Sequence, residues 1–142
     1  MTQPVEWILN GADAYALIVR ATHQSDGPEF FTPGTYSQQL GSLTWPAGHL
    51  IAPHLHNPVR REVEFTNEVL FIRHGRIRVD FYSDTQEYLE SRELVTGDVI
   101  LLIRGGHRFE VLEPTSMFEV KQGPYAGESD KTRFVPQRIG SS

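Results

Sequence analysis

Apolar and polar positions alternate along several short stretches of the chain, the pattern of β-strands that bury one face. In residues 76–82, Ile77, Val79 and Phe81 alternate with residues that can face water. The unbroken apolar run 99–103 predicts a strand buried on both faces. Further strands are expected at 40–45, 49–56, 88–94, 107–112 and 116–121, and 14–21 fits either a strand or a short helix.

Glycines and prolines separate these stretches, as tight turns between short strands require. About eight strands at a spacing of roughly 8–12 residues predict an all-β fold with little helix, a small antiparallel β-barrel or jelly roll. The length of 142 residues predicts one domain, 1–142. Within it we expect an N-terminal arm at 1–35, a barrel core at about 36–122 and an extended C-terminal tail at 123–142.

Composition narrows the function. A net charge of −5, with only two lysines among 13 basic residues, argues against nucleic acid or an anionic membrane as the partner. The chain has no cysteine, so any metal must be bound by imidazole and carboxylate groups. The first residues do not resemble a signal peptide, and no apolar run approaches the roughly 18 residues of a membrane span. We therefore expect a cytoplasmic protein.

The pair His54 and His56 is the first candidate for metal chemistry. Residues i and i+2 of a strand share a face, so the two rings would lie side by side, roughly 7 Å apart at Cα. Both could then reach one ion at about 2.0–2.1 Å. A His-x-His pair alone is weak evidence, because an ordinary surface pair has the same spacing.

The residues around this pair strengthen the case. Gly48 lies six residues before His54, and Glu68 lies seven residues before Gly75. A later segment runs from a Gly-Asp pair at 97–98 to His107. This arrangement, from Gly48 to about residue 111, resembles the two sequence motifs of the cupin superfamily.

The resemblance implies a cupin-type double-stranded antiparallel β-barrel that binds one divalent metal ion per chain. The ion would be Mn, Fe, Ni or Zn. The resemblance also implies a homodimer. Carried over position by position, the metal ligands would be His54, His56, Glu68 and His107.

Two departures from the cupin pattern leave alternatives open. The residues between His56 and Glu68 number eleven instead of a few, which adds Glu62 and Glu64 as rival carboxylates. Glu68 is preferred because it alone keeps the six-residue gap to the expected turn at Gly75. His107 comes one residue early, and a shift of one residue would turn it outward as an ordinary strand histidine.

Three imidazoles and one carboxylate would leave a divalent ion with net positive charge, which suits Lewis-acid chemistry on a small-molecule ligand. We expect an isomerase- or epimerase-type enzyme acting on a small oxygenated substrate such as a carbohydrate or an oxo-acid. The segment 119–125 loosely resembles stand-alone cupins associated with nucleotide-sugar and surface-polysaccharide synthesis. A metal-dependent dioxygenase and a non-catalytic binding or sensing cupin are the alternatives. In an enzyme, Glu62 or Glu64 would be the candidate base, and the pocket would be lined by Leu50, Ala52, Leu70, Ile72 and Phe109.

Overall fold

The structure is a computed structural model that describes residues 4–136. Almost all of its regular structure is β, apart from a 3₁₀ turn at Gly127–Asp130. The strands are β1 (Val5–Asn10), β2 (Asp13–Val19), β3 (Gly27–Phe30), β4 (Gly41–Thr44), β5 (Glu68–Tyr82), β6 (Tyr88–Val95), β7 (Val99–Leu102) and β8 (Gly106–Lys121).

The chain divides into two compact units. The larger one holds the described residues before Gln24 and after Glu64, and the smaller one is Gln24–Glu64. In the larger unit, six strands form an antiparallel sheet in the order β1-β2-β7-β5-β6, and β8 pairs along the whole of β5. This sheet is strongly curled into a half-barrel, so the predicted all-β barrel fold with little helix is confirmed.

The long strand β5 organises the larger unit. Its first part pairs with β7 and its second part with β6, while β8 covers the opposite edge throughout. Leu70 and Ile72 point into the core from the first part, and Ile77, Val79 and Phe81 from the second. Because positions 72 and 77 differ by an odd number, the alternation must change phase between them.

A bulge at Gly75 makes this change of phase. Gly75 has a φ of +114°, and a Cβ there would lie 2.4 Å from Thr115 Oγ1 and 2.5 Å from the Pro114 carbonyl oxygen. The turn expected at Gly75 is therefore wrong, because β5 continues through it. The expected break between 107–112 and 116–121 is also wrong: β8 is one strand, and the Thr115 hydroxyl accepts a hydrogen bond from the Arg76 amide at 3.2 Å.

In the smaller unit, β3 and β4 form a two-stranded antiparallel sheet. The strand expected at 40–45 is present as β4, but the strand expected at 49–56 is absent, and 50–64 has no regular structure. Pro53 and Pro58 lack the amide hydrogen that a sheet ladder needs, which disfavours a strand here. Trp45 and His49 instead stack at 4.1 Å between ring centroids.

The described chain begins with strand β1 and ends in an extended tail. Residues 13–19 form a strand and not a helix, and β2 pairs with both β1 and β7. The expected tail contains the 3₁₀ turn before an extended stretch at 131–136, and residues 137–142 lie outside the described part.

Within residues 4–136, no helix is long and apolar enough to cross a membrane.

Candidate metal centre

Glu68 begins β5 on the face of the sheet that carries the core. It lies opposite Leu102 of β7, and it is two residues before the buried Leu70. Burial, followed by the charge and a hydrogen bond of Glu119, raises the pKa of the Glu68 carboxyl, and the positive charges of Lys121 and Lys131 counteract this only in part. Glu68 is thus a partly buried carboxyl beside a second carboxyl, a setting that favours a nearby cation.

His107 lies near the start of β8 and shares this face. Its register partner on β5 is Phe81, which is buried in the core, and its ring lies 5.2 Å from that of Phe109. The outward orientation left open by the sequence is therefore not the one found. Burial lowers the pKa of His107, with Glu119 opposing the shift and Lys131 adding to it. A neutral imidazole is the form that binds a metal ion.

Glu119 is the acidic residue that influences both groups. It lies on β8 opposite Leu70, and therefore on the same face as Glu68, and its carboxylate is 4.0 Å from Lys121 Nζ. The sequence did not single out Glu119 as a site residue. His107 and Glu119 have the same parity along β8. Had this segment been predicted as one strand without a break, the alternation of side chains would have placed both residues on one face.

His54 and His56 belong to the smaller unit, in its irregular segment. Both are exposed, and their rings meet edge to face at 5.3 Å between centroids. His54 Nδ1 lies 2.9 Å from the carbonyl oxygen of Ala52. A carbonyl oxygen only accepts, so Nδ1 donates in this contact, and Nε2 is the nitrogen through which the neutral ring can bind a ligand. The rings are therefore adjacent without the strand that was expected to align them.

The other residues named in the sequence analysis are likewise divided between the sheet of the larger unit and the irregular segment of the smaller unit. Glu62 and Glu64 are exposed residues of the irregular segment. Of the expected pocket lining, Leu70 and Ile72 are buried and Phe109 packs against the core, whereas Leu50 is 88 % exposed. The sheet therefore supplies the apolar surroundings of Glu68 and His107. The expected contribution of Leu50 is wrong because its segment is not a strand.

Among residues 4–136, no three or more His, Asp or Glu side chains are arranged as a metal-binding group. Glu68 and His107 nevertheless offer one oxygen and one nitrogen donor on the same face. Both side chains have lost part of their hydration. Glu68 also has a neighbouring carboxyl group, and a bound cation would reduce the repulsion between the two. This donor chemistry fits the divalent ions expected from the sequence.

A separate open groove of about 520 Å³ lies on the larger unit. Arg20, Arg78 and Arg92 line it, but each guanidinium is already engaged by carboxylates. Arg20, for example, bonds Asp98 at 3.0 Å. These arginines are better explained as parts of ion-pair networks than as anion receptors.

No protein-family model, curated protein or solved structure matches this chain.

Proposed function

We propose that the protein is a cupin-type metalloprotein in which His54, His56, Glu68 and His107 bind one divalent ion. The observation that carries the proposal is Glu68 itself. This carboxyl is partly buried on the core face, with a second carboxyl beside it and no ion pair within 4.0 Å among residues 4–136. His107 shares that face, whereas His54 and His56 enter the proposal from the sequence motif.

The ion would act as a Lewis acid that polarises an oxygen of a small substrate. The protein's own residues prepare the surroundings. Leu70 and Phe81 are buried on the face that carries Glu68 and His107, and they exclude water there. Because less water screens the charges, electrostatic interactions on this face are stronger. Glu119, opposite Leu70 on β8, lies diagonally beside Glu68 and raises the pKa of its carboxyl.

The activity proposed is that of an isomerase or epimerase on a small carbohydrate or oxo-acid in the cytoplasm. Elemental analysis of tag-free protein tests the metal, with about one divalent ion per chain as the expected result. Protein without stoichiometric metal would contradict the proposal. Iron together with substrate-dependent oxygen consumption would replace the isomerase by a dioxygenase. Substrate binding without turnover would replace it by a sensing or binding cupin.

The proposal includes a homodimer. Among the described strands, β8 pairs only with β5, so its other edge has free hydrogen-bonding groups. Phe118 and Val120 are 57 % and 60 % exposed on the same strand. We expect light scattering to give twice the chain mass for the wild type and a lower mass for Val120→Asp. A monomeric wild type would contradict this part alone.

A further inference from the structure

Both lysines of the chain lie near Glu68. All other basic residues are arginines. Lys121 is directly opposite Glu68 in the β5–β8 register, with its Nζ 4.0 Å from the Glu119 carboxylate. Lys131 comes from the C-terminal strap, which we define as residues 123–136. A lysine ammonium is a compact charge with three donors that rotate freely, unlike the fixed fork of arginine.

Two contacts hold the strap against the larger unit. Immediately before Lys131, Asp130 accepts a hydrogen bond from the hydroxyl of Thr66, just ahead of β5. Three residues after Lys131, Phe134 packs on Gly106, where a Cβ would lie 2.8 Å from the phenyl ring. The Thr66 contact lies two residues before Glu68 and holds Lys131 near the start of β5. The Phe134 contact is on the Gly106–Tyr82 pair, which lies on the other face of the sheet from His107 and Phe81, so the strap passes from the Glu68 end of β5 to that outer face.

The charge of Lys131 is available to a ligand. Lys131 is exposed, and it forms no ion pair within 4.0 Å in the part of the chain that is described. Its charge nevertheless reaches both Glu68 and His107. The neighbouring Arg133 differs, because its guanidinium is paired with Glu128.

We infer that Lys131 determines specificity by binding an anionic oxygen group of the substrate. This inference rests on the proposed function and narrows its substrate class to small oxo compounds that carry a carboxylate or a phosphate. A neutral sugar offers only hydroxyl oxygens, which bind an ammonium more weakly than the ionised oxygens of a carboxylate or a phosphate do. The anionic group contacts Lys131 while the oxo group faces the site of Glu68 and His107.

The test uses the full chain loaded with Mn²⁺ and three small probes. Pyruvate carries a carboxylate, hydroxyacetone is its neutral counterpart, and dihydroxyacetone phosphate carries a phosphate. Electron paramagnetic resonance of free Mn²⁺ first gives the metal affinity, and proton relaxation of each probe then gives its affinity for the loaded protein. The variants are Lys131→Gln and the matched control Arg133→Gln.

We expect Mn²⁺ affinity to stay within about threefold in both variants, because neither residue is a proposed ligand. At least one anionic probe should bind wild type about tenfold more tightly than hydroxyacetone, and Lys131→Gln should lose about tenfold of that affinity. Whichever anionic probe binds identifies the preferred group. Arg133→Gln should behave as wild type.

The failures are distinguishable. If wild type binds no Mn²⁺, the proposed function fails and takes this inference with it. If Mn²⁺ binds but the anionic probes are no better than hydroxyacetone, only the inference is overturned. Equal probe affinities in Lys131→Gln and Arg133→Gln would also overturn it, with the metal site left standing.

Discussion

Replacing Asp80 with asparagine removes the most buried charge of the barrel. The side chain of Asp80 is 0 % exposed, and it accepts hydrogen bonds from Arg78 Nε at 3.1 Å, Arg108 Nε at 3.0 Å and the Ser91 hydroxyl. Burial alone would raise the pKa of Asp80, but these hydrogen bonds, together with the charge of Arg78, hold it below its ordinary value. The substituted side chain would be neutral, and its amide group would face other donors.

The loss of unfolding free energy depends on how much hydration the partners of Asp80 can regain. Breaking a buried ion pair costs about 3–5 kcal/mol. Arg78 and Arg108 are 33 % and 42 % exposed, so both guanidiniums can recover water after Asp80→Asn. This places the loss in unfolding free energy at the lower end, about 3 kcal/mol. For a chain of this length, the melting temperature should fall by about 10 °C.

Urea unfolding in EDTA measures this loss without any contribution from metal. The matched control is Glu110→Gln, because Glu110 bonds Arg78 at 2.6 Å but is itself 53 % exposed. An exposed ion pair contributes about 0–1 kcal/mol, so the control should change little. A loss below about 1 kcal/mol in Asp80→Asn, or one equal to that of the control, would refute the reasoning.

The pH dependence gives a second readout of the same carboxylate. Since folding lowers the pKa of Asp80, the stabilisation is complete above the ordinary aspartate pKa of about 3.9 and is lost as the pH falls through the folded value. The difference between wild type and Asp80→Asn should therefore be constant from about pH 6 to 8 and shrink below about pH 4. A difference that grows towards acid would contradict the assigned direction.

Two further substitutions test the site and the bulge by unfolding in EDTA. Glu68→Gln should raise the unfolding free energy of metal-free protein by about 1 kcal/mol, because it removes a partly buried charge beside Glu119; a loss would contradict this. Gly75→Ala should lower it by at least about 2 kcal/mol through backbone strain and collision. Gly34→Ala, with no atom within 4 Å of the added Cβ, should be nearly neutral, and equal effects would be the contrary result.

The alternation of apolar and polar residues predicted individual strands of the fold. The alternation of Ile77, Val79 and Phe81 predicted the second part of β5, because a half-buried strand needs this period. The same reasoning failed at Gly75, since a glycine with positive φ serves a bulge as well as a turn. Only the close approach of Thr115 on β8 distinguishes the two.

The candidate site shows the same limit. Glu68 and His107 were identified from motif spacing, but the face of His107 was settled only by its register with Phe81. Glu119 and Lys131 were missed because their relation to Glu68 depends on long-range pairing and on the contacts of the strap. Such contacts join residues far apart in the chain, so no periodicity within one segment reports them.

The central claim, a divalent-metal site on Glu68 and His107 together with the motif histidines, is tested most directly by calorimetric titration of metal-stripped, tag-free protein with Mn²⁺. The account predicts about one site per chain in wild type and at least about tenfold weaker binding in His54→Ala, Glu68→Ala and His107→Ala. Glu64→Ala is the matched control and should bind as wild type does. No saturable binding by wild type, or full affinity in Glu68→Ala with loss in Glu64→Ala, would contradict the claim.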